Sequence, residues 1–148
     1  MNWRKVLLYL FCLIPWFLSI FLFRSDAVYY ESLTLPFFAP KPFIFGIVWT
    51  ILYFLIAYSI FLVITVSTSN YKIYLTINYF ANQLFTFCFF TLHNLFLSLV
   101  DTIIVLISSM YLYVETRSMN KKASYYLVPY ILWNVFAFIL IFFVFIKN

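Results

Sequence analysis

Five long runs of hydrophobic residues follow one another along the chain, separated by short polar segments. The runs cover about residues 6–23, 43–66, 73–92, 95–114 and 125–146. Each run is long enough to cross the hydrocarbon core of a membrane, which takes about 20 residues of α-helix. Because the connections are short, we expect no added soluble domain. The pattern predicts an all-α integral membrane protein, a bundle of five transmembrane helices in one domain over residues 1–148.

Prolines and charges add detail to this pattern. Pro15 lies inside the first run, so the first helix is expected to bend there. Residues 24–42 combine charged residues with Pro36, Pro40 and Pro42, a composition that cannot form a helix in lipid. This segment is therefore the longest predicted loop. A further loop is predicted for residues 115–124, before the fifth helix.

The distribution of Lys and Arg predicts how the bundle is oriented. Six of them lie at the N-terminus and in the second and fourth connections: Arg4, Lys5, Lys72, Arg117, Lys121 and Lys122. Three lie on the opposite side: Arg24, Lys41 and Lys147. Cytoplasmic segments of membrane proteins carry the excess of positive charge. We therefore expect a multi-pass protein with its N-terminus in the cytoplasm and its long first loop outside.

Composition agrees with a membrane protein and argues against several other classes. Of the residues, 67% are hydrophobic and 9% are charged, whereas a soluble domain is about half apolar and about one quarter charged. The net charge of +5 is spread in small groups between hydrophobic runs, which argues against a nucleic-acid partner. The chain has one His and two Cys, Cys12 and Cys88, both inside hydrophobic runs. We therefore predict no metal site and no cofactor.

Polar and aromatic residues form stripes along three of the predicted helices. Residues at helical spacing share one face on the second helix (Phe45, Trp49, Tyr53, Ile56), the third (Asn78, Asn82, Phe85, Phe89) and the fifth (Pro129, Trp133, Ala137, Leu140). One interpretation is ordinary packing, with amides bonded across helices and aromatic rings filling the core. The other is an aromatic cavity for a flat, largely apolar ligand. Periodicity alone does not separate the two.

Two single residues invite weaker hypotheses. Asp101 is a carboxylic acid inside the fourth run, where it suggests either a proton or ion site or, as we favour, a structural bond to a neighbouring loop or helix end. His93 suggests a ligand to haem iron, but a lone His at a helix boundary is more often a polar residue of the membrane interface.

Three segments resemble the TspO family, also called the tryptophan-rich sensory protein or translocator protein family. Residues 36–53, PFFAPKPFIFGIVWTILY, are similar to the family segment P-x-W-x-P-P-x-W-x-F-G-P-V-W-x-x-L-Y. Residues 82–101, from Asn82 through Phe89 and Phe90 to Asp101, resemble N-x-x-W-x-x-x-F-F followed by A-L-x-D. Residues 127–137, LVPYILWNVFA, resemble L-x-P-Y-x-x-W-x-x-F-A. The three blocks occur in the family's order and extend over nearly the whole chain.

The resemblance implies five tilted helices, usually as a homodimer, around a pocket for porphyrins, haem precursors, sterols or benzodiazepine-like molecules. The pocket residues that it implies are Trp49, Tyr53, Asn82 and Trp133, with Phe45, Cys88, Phe89, Ala137 and Leu140 nearby and with Tyr30 and Pro40 in a lid. The chain also departs from the family pattern. Phe38, Phe43 and Phe85 replace tryptophans, Lys41 and Ile47 replace prolines, Asn78 replaces a common glutamine, and Ile141 replaces a typical asparagine.

Three functions are compatible with this resemblance. The leading hypothesis is a membrane receptor or sensor that binds a porphyrin between its helices. The second is an enzyme that degrades porphyrin with light and oxygen, in which Trp49 and Trp133 are the redox-active side chains. Apart from that possibility no catalytic residue is predicted, because no conventional acid, base or nucleophile group is visible. The third is a carrier of porphyrin or sterol.

Overall fold

This computed structural model describes residues 3–23 and 25–148, most of which lie in helices. No strand occurs in these two ranges. Four helical segments are long and apolar enough to cross a membrane: Trp3–Leu22, Pro42–Val66, Leu95–Met119 and Lys121–Lys147. The chain is therefore an all-α integral membrane protein, as the sequence predicts. Arg24, which the orientation argument counts, lies outside the described residues.

The first helix, α1 (Trp3–Leu22), is interrupted where the sequence predicts a bend. A 3-10 turn, Ile14–Phe17, contains Pro15 and separates the two α-helical parts. Proline has no N–H to donate, and its ring disturbs the preceding turn. The side chain of Gln83 bonds to the backbone at the break: its Oε1 accepts from the Ser19 N–H at 2.7 Å, and its Nε2 donates to the Trp16 carbonyl oxygen at 3.4 Å.

The segment predicted as one long loop, residues 24–42, contains a short helix, α2 (Ala27–Ser32). Its N-cap is Asp26, whose carboxylate accepts from the Tyr29 N–H at 2.9 Å. A helix this short gives no periodic signal in the sequence. It is held by packing of Tyr30 against Phe45 and Phe89. The predicted loop over residues 24–42 is therefore interrupted by one short helix.

The second and third predicted helices are present with small shifts of their ends. Helix α3 covers Pro42–Val63 and continues through a 3-10 turn to Val66. Helix α4 has 18 residues, Ser69–Thr86, and a π-helical turn, Phe87–Thr91, adds five more. It is the least apolar of the long helices because it carries Asn78, Asn82 and Gln83, all three of which are buried inside the bundle. Helix α4 is not among the four segments that are long and apolar enough to cross a membrane. Together with those four segments, it gives five long helices within the described residues.

The predicted loop at residues 115–124 is wrong, because helices occupy nearly all of it. Helix α5 runs over Leu95–Met119, five residues beyond the predicted end. Asn120 alone breaks the helix, and its side chain accepts from the N–H groups of Lys122 and Ala123 to start α6 (Lys121–Tyr125). Helix α7 follows over Val128–Lys147. Helix α5 continues through the charged residues Glu115 and Arg117. Hydropathy shows where an apolar run ends, but it does not show whether the helix ends there too.

The packing of the helices leaves a space on one side of the bundle. Helix α5 packs closely along α4 and along α7, and α1 packs along α3, whereas α3 and α7 make little contact with each other. The larger core cluster joins buried residues of α1, α3, α4, α5, α6 and α7. A second, smaller cluster surrounds Tyr30 and Phe89 beneath α2. Between the two clusters lies the candidate site.

Candidate ligand-binding cavity

A cavity of about 750 Å³ lies inside the bundle, with α3 and α7 supplying many of its lining residues. Residues of α1, α2, α3, α4, α5 and α7 all contribute to its wall. Pockets that bind small molecules typically have volumes of about 300–1,000 Å³. The cavity is therefore large enough for a ligand of several fused or linked rings.

Most of the residues predicted for the pocket line this cavity. Nine of them do so: Tyr30, Phe45, Trp49, Tyr53, Asn82, Phe89, Trp133, Ala137 and Leu140. Pro40 and Cys88 do not line it. Pro40 contributes indirectly, because its carbonyl oxygen accepts from the Tyr30 hydroxyl at 3.0 Å. Cys88 lies in the π-helical turn, where the extra residue per turn changes the register and places Phe89 and Phe90 at the cavity.

Several other residues line the cavity without any signal from helical spacing in the sequence. Helix α1 contributes Ser19 and Ile20, α5 contributes Thr102 and Val105, and α7 contributes Asn134, Ile141 and Val144. No stripe on the first or fourth run had indicated an inward face. A signal was available for Asn134, because an amide in the middle of a membrane-spanning helix is expected to face the bundle interior.

Aromatic rings form much of the wall. The Trp133 ring meets Phe45 edge-on, with the ring centroids 5.9 Å apart. Trp49 lies 5.5 Å from Tyr53, and Phe85 stacks on Phe89 at 5.6 Å. Phe85 lines the cavity too, so the ring that replaces a family tryptophan keeps an aromatic face at this position. Such walls suit a flat ligand, because aromatic faces pack well against extended ring systems.

Four buried polar side chains form a hydrogen-bonded row at the inner end of the cavity, which we call the polar floor: Tyr53, Asn82, Tyr130 and Asn78. The Tyr53 hydroxyl donates to Asn82 Oδ1 at 3.3 Å, and Asn82 Nδ2 donates to the Tyr130 hydroxyl oxygen at 3.3 Å. The Tyr130 hydroxyl donates to Asn78 Oδ1 at 3.0 Å. Both interpretations of the polar stripes therefore have support: the amides bond across helices, and the same helices border a cavity.

The electrostatic character of the wall is neutral. Within residues 3–23 and 25–148, no Lys, Arg, His, Asp or Glu side chain lines the cavity. An isolated charge is costly to bury without a partner. The buried part of a ligand should therefore be uncharged, and any carboxylate should remain at the open side.

Helix α2 closes part of the cavity, and we call it the lid helix or lid. Helix α2 supplies Ala27 and Tyr30 to the cavity wall. The Tyr30 hydroxyl donates to the Pro40 carbonyl oxygen, and burial raises the pKa of Tyr30 to about 12. The neighbouring ring of Tyr29 stacks on His93. The lid is therefore fastened both to the loop before α3 and to the turn between α4 and α5.

His93 and Asp101 lie away from the cavity wall. The side chain of His93 is 48% exposed, and its backbone φ of 49° is in the left-handed region at the turn between α4 and α5. This placement agrees with an interfacial residue. Asp101 is buried, and its Oδ2 has no hydrogen-bond partner among the described residues. The structural bond that we favoured for Asp101 is therefore not made by this oxygen.

The family of the chain follows from comparison with known proteins. A model of the TspO/MBR family matches residues 6–146. The chain belongs to this family. Membership confirms the resemblance that the three sequence blocks indicated, and it supports a receptor or sensor role in the membrane for this TspO/MBR protein.

Individual relatives agree with this assignment. The chain is 31% identical over 124 residues to the tryptophan-rich protein TspO of Bacillus cereus, with 82% of this chain and 81% of the relative covered. It is 35% identical over 121 residues to the uncharacterized membrane protein YtaB of Bacillus subtilis, covering 79% and 78%. It is 32% identical over 137 residues to the tryptophan-rich protein TspO of Archaeoglobus fulgidus, covering 88% and 86%.

Proposed function

We propose that this TspO/MBR protein is a membrane receptor that binds a flat, largely apolar tetrapyrrole such as protoporphyrin between its helices. The observation that carries the proposal is the cavity of about 750 Å³, with aromatic walls and no charged lining side chain among the described residues. A porphyrin ring would lie between the aromatic faces of α3, α4 and α7. Its carboxylates would remain at the open side, where they avoid the cost of burying an unpaired charge.

The proposal is tested by titrating protoporphyrin into purified protein in lipid nanodiscs and following quenching of tryptophan fluorescence in the dark. Saturable quenching is expected. Trp133→Ala should weaken binding about tenfold or more, because a buried aromatic contact is often worth about 2 kcal/mol in an interface. Trp3→Ala is the matched control, since Trp3 is 69% exposed and does not line the cavity. Absence of saturable quenching, or equal affinity in both variants, contradicts the proposed site.

A light-dependent enzyme is the second candidate, and one observation favours it. Both indole rings to which the family resemblance gives a redox role, Trp49 and Trp133, border the same cavity. Illumination of the protoporphyrin complex in the presence of oxygen would then form a new pigment, which absorption spectra detect. Product should be lost in Trp49→Phe and Trp133→Phe. Equal product from heat-inactivated protein would contradict the enzyme function.

The carrier function and the orientation need separate measurements. Transport predicts that protein in sealed vesicles moves porphyrin or sterol across the bilayer, whereas a pure receptor leaves the flux unchanged.

We also propose a cytoplasmic N-terminus. The bond from Thr68 Oγ1 to Glu115 Oε2, at 3.2 Å, places the second connection beside the end of α5, where Lys121 and Lys122 are exposed. Labelling of Ser118→Cys from the cytoplasmic side only would support this orientation.

We further propose a homodimer, which cross-linking in the membrane would test.

A further inference from the structure

The two parts of α1 pack against different neighbours. The part before the Pro15 break packs along α3, whereas the part after it, Leu18–Leu22, packs on α4 and makes little contact with α3. Gln83 of α4 holds this second part in place, because its side chain bonds to the backbone of Trp16 and Ser19. The break therefore leaves the second part of α1 apart from the first half of α3.

The cavity reaches the surface of the bundle at this gap. The lining residues from α4, α5 and α7 are buried or half-buried. The exposed lining residues all belong to α1, to the segment 25–27 and to the first half of α3: Ile20, Ser25, Ala27, Phe43, Gly46 and Thr50. We call the opening bordered by Ile20, Gly46 and Thr50 the side window.

The side window lies within the membrane-spanning part of the bundle. Ile20 belongs to the span Trp3–Leu22, and Gly46 and Thr50 belong to the span Pro42–Val66. From position 42 to position 50 the helix rises by about 12 Å, at about 1.5 Å per residue. The window therefore opens toward the acyl chains of the lipid.

Gly46 is the single glycine of the chain, and it borders the side window. Its φ is not positive, so the backbone conformation does not require glycine. A Cβ atom at this position would meet no other atom within 4 Å, so no packed neighbour requires glycine either. Glycine also weakens a helix interior relative to alanine. What the missing side chain does is leave the side window wide.

We propose that the side window is the route by which a flat apolar ligand passes between the bilayer and the cavity. This inference rests on the proposed function, because it needs a ligand that binds in the cavity. A porphyrin in the bilayer places its ring among the acyl chains and its carboxylates at the interface, since burying an unpaired charge is costly. Sideways movement through the window keeps the ring out of water, whereas entry from the solvent would expose its apolar faces.

The test narrows the window at Gly46 with side chains of two sizes. Gly46→Leu should fold, because a Cβ here meets no neighbour and leucine favours a helix. Stopped-flow quenching in nanodiscs measures the rate constants for protoporphyrin. Association and dissociation should both fall by about tenfold in Gly46→Leu, which corresponds to about 1.4 kcal/mol added to the barrier. Kd should stay unchanged, because a narrower passage slows both directions equally.

Two control variants separate blocking from other effects. Gly46→Ala strengthens the helix as well but adds only a methyl group, so it should exchange ligand at the wild-type rate. Thr76→Leu enlarges an exposed residue of α4 that does not line the cavity, and it should also leave the rates unchanged.

A second measurement of the window needs no ligand. Trp49 lies one turn from Gly46 on the same side of α3. Bromine atoms on lipid acyl chains quench the fluorescence of indole rings that they contact. In nanodiscs of brominated phosphatidylcholine, the emission assigned to Trp49 by comparison with Trp49→Phe should be quenched in Gly46→Ala and protected in Gly46→Leu.

The outcomes separate this inference from the proposed function. Three results would each overturn the side window: equal rate constants in Gly46→Leu and Gly46→Ala, a higher Kd with unchanged association in Gly46→Leu, or equal quenching of Trp49 in the two variants. Absence of saturable protoporphyrin binding by the wild type contradicts the proposed function instead. The quenching of Trp49 then still decides whether lipid reaches the cavity through the window.

Discussion

The imidazole ring of His93 stacks on the phenol ring of Tyr29, with the ring centroids 3.9 Å apart and the planes within 18°. The same imidazole brings its Nε2 to 3.9 Å from Asp26 Oδ2. Asp26 is the N-cap of α2, and Tyr29 lies in its first turn. One side chain at the α4–α5 turn thus contacts both the cap and the ring that position the lid helix.

Substitution of His93 should loosen the lid without unfolding the bundle. We choose His93→Asn, because asparagine tolerates the left-handed backbone that this position requires. Loss of a stacked pair worth about 0.5–1.5 kcal/mol should speed ligand dissociation by about two- to tenfold. Stopped-flow release of protoporphyrin from nanodiscs measures the rate. Glu31→Gln, an exposed change on the lid helix, is the control. Equal rates in the two variants would show that His93 does not hold the lid.

The polar floor should also contribute to stability. Asn78→Leu removes the bonds to Val105, Ser108 and Tyr130 and leaves the Tyr130 hydroxyl without its acceptor. Hydrogen bonds between membrane helices average about 0.6 kcal/mol each, so we expect a loss of about 2 kcal/mol in the free energy of unfolding. Asn70→Leu is the control, since Asn70 lies on the same helix but is exposed. Similar midpoints of thermal unfolding for both variants would contradict a stabilising floor.

The sequence predicted the long helices better than their connections. The runs of apolar residues predicted α3 and α5, because a segment that crosses lipid must be apolar and helical. Pro15 predicted the break in α1. Hydropathy cannot find α2, which is shorter than any periodic signal and is held by tertiary contacts of Tyr30. Nor can it find the end of α5, because polar residues outside the hydrocarbon still favour a helix until Asn120 caps the next one.

The cavity was predictable on α3, α4 and α7 and not on the other two long helices, α1 and α5. Helical spacing placed Trp49, Asn82 and Trp133 on faces that do meet. The inward positions of α1 depend on the Pro15 break and on the bond between Gln83 and Ser19, which no local pattern reveals. The direction of the hydrogen bonds in the polar floor depends on the Val105 carbonyl oxygen of a neighbouring helix. Such contacts belong to the packed bundle, and only the structure shows them.

The two tryptophans of α1 provide a matched test of packing. Trp16 is 2% exposed and meets Tyr53 and Tyr79 at ring-centroid distances of 5.9 and 5.4 Å. Trp16→Ala should lower the free energy of unfolding by about 3–5 kcal/mol, the usual cost of removing a large buried aromatic side chain. Trp3→Ala, at the exposed end of the same helix, should cost less than about 0.5 kcal/mol. Thermal unfolding in one detergent compares them, and a similar loss in both would contradict the buried packing of Trp16.

The hydroxyl of Tyr30 should couple the lid to alkaline pH. Burial raises the pKa of Tyr30 from 10.0 to about 12. An open lid would expose Tyr30 and allow it to ionise near pH 10, whereas the closed lid keeps it protonated. The contribution of Tyr30 to lid closure is therefore fully present below pH 10 and is lost as the pH rises through about 12. The near-ultraviolet phenolate absorbance of the wild type, minus that of Tyr30→Phe, reports this titration. Its midpoint should lie near 12 and should be unaffected by Tyr125→Phe, which removes an exposed tyrosine. A midpoint near 10 would mean that Tyr30 is exposed and that the lid is open in the membrane.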